Sequence, residues 1–425
     1  MKISPNILRL KPSATLAINE RSAELIRSGK KVYRLGFGQS PFPVPAEVVE
    51  ALQAHVHIKD YLPVRGLWEL REAVASFNQR TIGLDSTADQ VLVGPGSKEL
   101  IYDLLLAADA TLLLPSPAWV SYEPQAVLAG KPVHRIETSA SESWLLTPTA
   151  LQKACETVTG PKVLIINYPG NPTGTSFSEE QLRALAEVCR KHELIVIADE
   201  IYGEVHHEGA HQSLARYYPE GTIVSAGLSK WCGAGGWRLG TFTFPKEMLS
   251  LLDILATIAS ETFTSVSAPI QYAAVTAFKG RPAITEYVEH SRKILGAVAS
   301  YVHQRLEAMG IQMPKADGGF YLFPEFDKYH EAFAAKGIHT SSQLCEAILN
   351  ESGVALLPGE AFGRPETELS ARLSFVDFDG GAALEYCKSA PSANLNEAFT
   401  QQYCPAIVAA MDSLHAYLKR LTVPA

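Results

Sequence analysis

The chain lacks concentrated positive charge, long apolar runs and any paired arrangement of cysteines. Its 425 residues carry 37 Lys and Arg against 45 Asp and Glu, a net charge of −8, with no run of like charge. Nucleic-acid surfaces need clustered Lys and Arg to displace counterions from phosphate, so that class of partner is set aside. The longest apolar runs, such as Leu194–Ala198, fall far short of the ~20 residues that span a bilayer. No membrane association is expected. The first twenty residues hold no apolar core of the kind a secretory signal needs. Cys155, Cys189, Cys232, Cys345, Cys387 and Cys404 show no CxxC and no paired spacing. They read as reduced, buried thiols of a cytoplasmic protein. The GxSxG elbow and the HExxH motif are also missing, and no metal site is expected.

What remains is an ordinary globular composition, 47% apolar and 19% charged, in a chain long enough for two domains. Short apolar runs alternate with helical stretches between residues 90 and 245. The runs are Val91–Val93, Thr111–Leu114, Val133–Ile136, Val163–Asn167, Leu194–Ala198, Thr222–Ala226 and Thr241–Phe244. Strands apolar throughout, separated by helices, predict a mostly parallel sheet covered on both faces. Ser178–His192 predicts a helix opened by a capping box of Ser178 and Gln181. Val32–Gly38, Gly318–Phe323 and Ala371–Val376 are expected as strands, and residues 250–309 as two long helices. Ser342–Asn350 and Pro405–Leu421 are expected as helices. Residues 380–405 are polar and rich in Ala and Ser, and are expected to be irregular.

Ligands of doubly wound sheets bind beyond the carboxyl ends of the strands. Five consecutive candidate strands here end in polar, aromatic or glycine-rich loops. Gly96-Ser97-Lys98 opens a helix, where free N–H groups can cradle an anion or simply be capped. It is not a dinucleotide fingerprint, because Glu99 takes the third glycine position. Trp119 follows the second run and reads equally as core. Asn171 lies in a Pro-Thr-Gly turn. Asp199 ends its run, free to bind metal, pair with arginine or hold a protonated ring nitrogen. Glu204, His206, His207 and Glu208 lack metal-ligand spacing and read as a solvated loop. The stretch 225–240, SAGLSKWCGAGGWRLG, sets Lys230 eight residues before Arg238 across glycines. A desolvated lysine is a potential nucleophile, and an arginine fork holds a phosphate. That pair suits an enzyme that carries pyridoxal phosphate on a lysine. Cys232 reads as packing.

Taken together these motifs resemble a family. GLSK at 227–230 with GAGGWRLG at 233–240, NYPGNPTG at 167–174 and ADEIYGEV at 198–205 resemble the class I/II aminotransferases, fold-type I pyridoxal-phosphate enzymes of the aspartate aminotransferase superfamily. YLPVRGLWELREAV at 61–74, VLVGPGSKEL at 91–100, PSPAWVSY at 115–122 and ARLSF at 371–375 match as well, in family order. The resemblance implies a large domain with a mostly parallel seven-stranded sheet sandwiched by helices, and a smaller α/β domain built from both termini. The corresponding bounds are 1–55 and 311–425 for the small domain and 56–310 for the large.

The resemblance also implies roles. Lys230 is the Schiff-base lysine. Asp199 pairs with the pyridine nitrogen, which makes the ring an electron sink. Tyr202 and Asn171 bond the ring oxygen, and Trp119 stacks on the ring. Gly96, Ser97, Lys98 and Arg238 hold the phosphate, joined by Tyr61 of the neighbouring subunit of a homodimer. Arg372, helped by Asn171 and Gly38, holds the substrate carboxylate. The implied reaction moves an amino group from an L-amino acid to a 2-oxo acid. A lyase, decarboxylase or oxidase on the same scaffold is the alternative.

Three departures stand out. Relatives often carry a hydroxyl residue three before the lysine, where this chain has Gly227; Ser225 or Ser229 is expected to substitute. Gln39-Ser40-Pro41 replaces a shorter Glu-Pro or Gln-Pro. Dicarboxylate-specific members place an arginine shortly before a segment matching Thr264–Ser267, whereas Ile258–Val266 holds no arginine and one Glu261. A neutral, aromatic or basic donor is therefore expected rather than aspartate.

Overall fold

In a computed structural model, which describes residues 2, 3, 5–8, 10 and 14–422, seven strands form one sheet. The strands are β1 (Val91–Gly94), β2 (Thr111–Ser116), β3 (Val133–Glu137), β4 (Lys162–Asn167), β5 (Ile195–Asp199), β6 (Thr222–Gly227) and β7 (Gly240–Thr243). Their order is β1-β7-β6-β5-β4-β2-β3. All pairs are parallel except those of β7, which runs antiparallel to β1 and β6. Part of the N-terminal stretch 1–20 and residues 423–425 lie outside the described residues.

Alternation along the strands explains the layers. Successive side chains of a strand point to opposite faces. Leu164, Ile166, Val196 and Ala198 pack with Leu182 and Leu185 in one cluster, while Val163, Ile165 and Ile197 join Leu100, Leu104 and Leu255 in another. Both faces are dry, so these strands carry no polar alternation. Each buried aliphatic side chain contributes about 1.5–3 kcal/mol. The helix Glu179–Lys191 is typical of the covering layer. Gln181 N–H donates to Ser178 Oγ at 3.2 Å and Ser178 N–H to Gln181 Oε1 at 2.9 Å, closing the expected capping box. Its buried residues Leu182, Leu185, Ala186 and Cys189 recur at helical spacing on one face.

A second, three-stranded sheet orders β8 (Tyr321–Leu322), β10 (Ala371–Ser374) and β9 (Leu357–Pro358), all antiparallel. The N-terminal segment joins it, since Ser374 N–H donates to Leu35 O at 2.7 Å. The smaller unit is thus built from both ends of the chain. Among the described residues no helix is long and apolar enough to cross a membrane. All six cysteines are free and buried. Burial pushes the Cys232 thiol up to about 12, as its packing role requires.

Several expectations change. Val32–Gly38 contributes only an isolated bridge, Tyr33 to Val354, because the chain turns at Leu35 and Gly36. Of 318–323 only Tyr321–Leu322 pairs as strand, since Gly319 turns with φ +65°. Residues 250–309 form three helices, Leu249–Glu261, Ala268–Lys279 and Pro282–Ala308. Pro269 and Pro282 restart the chain at the two breaks, each in a first helical turn. Residues 380–405 are not irregular. Helices Gly380–Ser389 and Glu397–Tyr403 are capped by Asp379 and Asn396, and their aromatic residues Tyr386, Phe399 and Tyr403 pack together. Most of their polar residues face outward, while Ala383, Leu384, Phe399 and the polar Thr400 are buried.

Candidate active site

The carboxyl ends of β4 and β5 stop level, with Asn167 beside Asp199, and Asp199 pairs with Ser225 of β6, which runs on to Gly227. Beyond them opens a cleft of about 650 Å³. Gly38, Ser97, Lys98, Trp119, Asn171, Asp199, Tyr202, Lys230, Arg238 and Arg372 all line it. Gly96 lies beside it, against the Arg238 guanidinium. Tyr61 is not in its wall; it stands 88% exposed.

Asp199 sits on the floor, 2% exposed. The Tyr122 hydroxyl donates to its Oδ2 at 2.6 Å, and the Ser225 hydroxyl reaches Oδ1 only at 3.4 Å. The carboxylate also lines the cleft, where it can meet a further partner. Burial pushes the Asp199 carboxyl up to about 6, against the downward pull of Tyr122, the Ile201 N–H, Ser225 and Lys230. Asn167 ties the floor to the next loop: its Nδ2 donates to Asp199 O at 2.7 Å and its Oδ1 accepts from Asn171 N–H at 2.7 Å.

Lys230 follows β6 and points inward, donating to Gly38 O at 3.0 Å. Its Nζ lies 5.4 Å from the Tyr202 ring centroid and 5.5 Å from that of Phe320. At one end of the cleft, the helix Ser97–Ala107 presents its N-terminus. Arg238, in the left-handed region at φ +54°, folds back so that its guanidinium donates to Gly235 O at 2.9 Å and Pro95 O at 3.3 Å. Partial burial, then Arg238 and Lys230, lower the Lys98 ammonium, which lies 5.0 Å from the Trp119 ring centroid. Three cations and a helix N-terminus converge there with no carboxylate paired to them among the described residues, an electrostatic demand for an anion.

The other end is set by Arg372, 3% exposed on β10. Its NH1 donates to Asn171 Oδ1 at 3.0 Å and its NH2 to Gly36 O at 2.7 Å. Its Nε is buried without a partner. Burial lowers this guanidinium, and no carboxylate among the described residues pairs with it. A buried cation with a spare donor is a second anion site. The cleft thus offers a primary amine between two anion sites over a buried carboxylate.

Sequence reasoning placed most of these residues and missed Tyr122, Asn167 and Tyr321. Tyr122 and Asn167 stood inside quoted motifs, and strand register would have put Asn167 next to Asp199. Tyr321 had no local signal; its hydroxyl lies 3.0 Å from that of Tyr202, which is 119 residues earlier. Two further readings are corrected. Ser225 is fully buried against Asp199, so it cannot take the place of the hydroxyl absent at Gly227, whereas Ser229 does line the cleft. Of the segment 204–208 only Glu208 is exposed as expected: Glu204 pairs with Arg292 at 3.0 Å with its side chain 17% exposed, and His207 Nε2 meets Gly319 O at 3.0 Å.

The model of the family "Aminotransferase class I and II" matches residues 30–377. An aspartate aminotransferase of Geobacillus stearothermophilus is 36% identical over 387 residues, covering 88% of this chain and 95% of its own. An asparagine–oxo-acid transaminase of Streptococcus mutans is 31% identical over 389 residues, covering 88% of this chain and 95% of its own. The solved aspartate aminotransferase of Thermus thermophilus with maleate superposes with a TM-score of 0.83 at 28% identity, over 98% of this chain and 99% of that one. This chain belongs to the class I and II aminotransferases.

Proposed function

We propose that the cleft holds pyridoxal 5′-phosphate and that the chain uses it to move an amino group from an L-amino acid to a 2-oxo acid. The observation that carries this reading is the convergence of the Lys230 amine, the buried Asp199 carboxylate and the two unpaired cationic ends. The residues fit the cofactor by chemistry. Gly96, Ser97, Lys98 and Arg238 would hold its phosphate, Asp199 the ring nitrogen, Tyr202 and Asn171 the ring oxygen, and Trp119 one ring face. Bound there, the cofactor supplies an electron sink and the carbon that carries the amino group. Asp199, once ionised, keeps the ring nitrogen protonated. Arg372 binds the amino acid's α-carboxylate and so orients its Cα–H bond. Asn171 Oδ1 and Gly36 O hold two guanidinium nitrogens, which fixes the fork before substrate arrives. The carbonyl of Gly38 holds the Lys230 amine inside the cleft, and that amine, once free, would take the Cα proton as base and deliver it as acid to the carbon that carries the amino group. Tyr61, too exposed to serve its own cleft, would reach the phosphate of the neighbouring site in a homodimer.

For the donor, the arginine-free segment Ile258–Val266 and Glu261 favour a neutral, aromatic or basic amino acid over aspartate. A second reading, an acidic donor, is supported by the names of the relatives, aspartate aminotransferases among them. Steady-state rates with aspartate, phenylalanine and arginine discriminate: a kcat/KM for aspartate well above the others sinks the first reading. Stoichiometric formation of a 2-oxo acid only when an acceptor is present tests the aminotransferase reaction itself. Ammonia released without acceptor would contradict it.

A further inference from the structure

We infer that Tyr321 is a positioning residue that joins the two halves of the site, its hydroxyl setting Tyr202 and its ring holding Arg372; this rests on the function proposed above. Tyr321 is 1% exposed on β8. Its hydroxyl lies 3.0 Å from that of Tyr202 and 3.5 Å from Gly38 O. The Arg372 guanidinium carbon lies 4.6 Å from its ring centroid, with Phe362 at 5.2 Å. Gly38 permits this approach, because a Cβ there would fall on the Tyr321 hydroxyl.

The proton count decides the direction. Two phenol hydroxyls share one hydrogen bond, so one donates and the other accepts. Tyr321 has two acceptors in range. Gly38 O, at 3.5 Å, is the longer contact. Under the function proposed above the single Tyr202 proton goes to the cofactor's ring oxygen, so within the pair Tyr202 accepts and Tyr321 donates. Tyr202, as acceptor, keeps its own proton for the cleft, where a ring oxygen would receive it. Burial, then Tyr321, hold the Tyr202 hydroxyl well above the usual phenol value, so it keeps its proton. The charged and titratable groups facing Tyr202 are Tyr321, Arg372, Asp199, Lys230 and Tyr122. Donation along a hydrogen-bonded chain strengthens the next bond by roughly 10–30%. Tyr321 thus makes Tyr202 a better donor. Its ring face meanwhile compensates a buried guanidinium that has no carboxylate of its own.

Holoenzyme with the substitutions Tyr321→Phe, Tyr202→Phe, both together, and Tyr321→Leu tests this by spectral titration. Donation by Tyr202 favours the form in which the cofactor's ring oxygen carries full negative charge. Weakening it raises the pH midpoint of the visible absorption. Tyr202→Phe should raise the midpoint by roughly one unit, the worth of a hydrogen bond to a charged group. Tyr321→Phe should raise it by roughly 0.3 unit, and the double variant no further than Tyr202→Phe alone. Propionate, a non-reacting carboxylate, should bind Tyr321→Phe as it binds the wild type. It should bind Tyr321→Leu about tenfold more weakly, as the ring face is lost. If Tyr202→Phe moves the midpoint and Tyr321→Phe does not, the hydroxyl role is overturned. Unchanged propionate affinity in Tyr321→Leu overturns the ring role. A wild type with no visible absorption at all would instead sink the cofactor reading, and this inference with it.

Discussion

Asp199 and Arg372 show how burial sets the chemistry of single residues. The Asp199 carboxyl, pushed up to about 6 in the free site, is neutral below that pH. A neutral carboxyl cannot balance a protonated ring nitrogen. Cofactor affinity should hold above pH 6 and fall by up to tenfold per unit below it. Asp199→Asn should bind weakly at every pH with that slope gone, as fluorescence titration of the apoprotein would read. Removing the Tyr122 hydroxyl in Tyr122→Phe takes away a bond that lowers the carboxyl, so the same slope should begin at higher pH. Arg372 carries the opposite lesson. Its buried charge is held by neutral acceptors and aromatic faces, so most of its pairing free energy is left for substrate. Arg372→Ala should cost about 2–5 kcal/mol in kcat/KM, roughly 30- to 5,000-fold, while cofactor absorbance is retained.

Among the elements, the row of strand ends does the positioning. Gly94, Gly240 and Gly227 sit side by side across β1, β7 and β6. A Cβ at Gly227 would lie 2.7 Å from Leu239 O and 3.0 Å from the Gly240 Cα. No hydroxyl side chain fits at Gly227, so the proposed phosphate site would draw on Ser229, Lys98, Arg238 and the helix N-terminus instead. Gly227→Ala should destabilise by about 1–3 kcal/mol, the range of an overpacked core, and lower the urea midpoint. The strands and their terminal residues were legible because each apolar run ends at a polar or glycine-rich loop. Asp199 and Lys230 could be placed from that pattern without any long-range knowledge. Tyr122 and Tyr321 could not, since their partners lie 77 and 119 residues away and no periodicity links them. Residues 380–405 misled for another reason: short helices with small buried residues look like loops when only their polarity is read.

At the scale of the whole molecule, the cleft lies where the main sheet meets the smaller unit. Asn171, in the loop after β4, grips Arg372 on β10 directly. Tyr61 remains the one expected contact that its own cleft does not receive. If it acts across subunits, sedimentation should give twice the 46.1 kDa chain mass. Mixed dimers of Lys230→Ala with Tyr61→Ala should then regain one intact site, and activity above that of either parent. No regain on mixing would return Tyr61 to a structural role. On the function proposed above, Lys230 carries the cofactor, and borohydride reduction of the holoenzyme, followed by proteolysis and mass spectrometry, tests this. The expected result is a phosphopyridoxyl group on the peptide containing Lys230 and on no other lysine. A label on Lys98 or elsewhere, or cofactor retained by Lys230→Ala with its absorption unchanged, would contradict it.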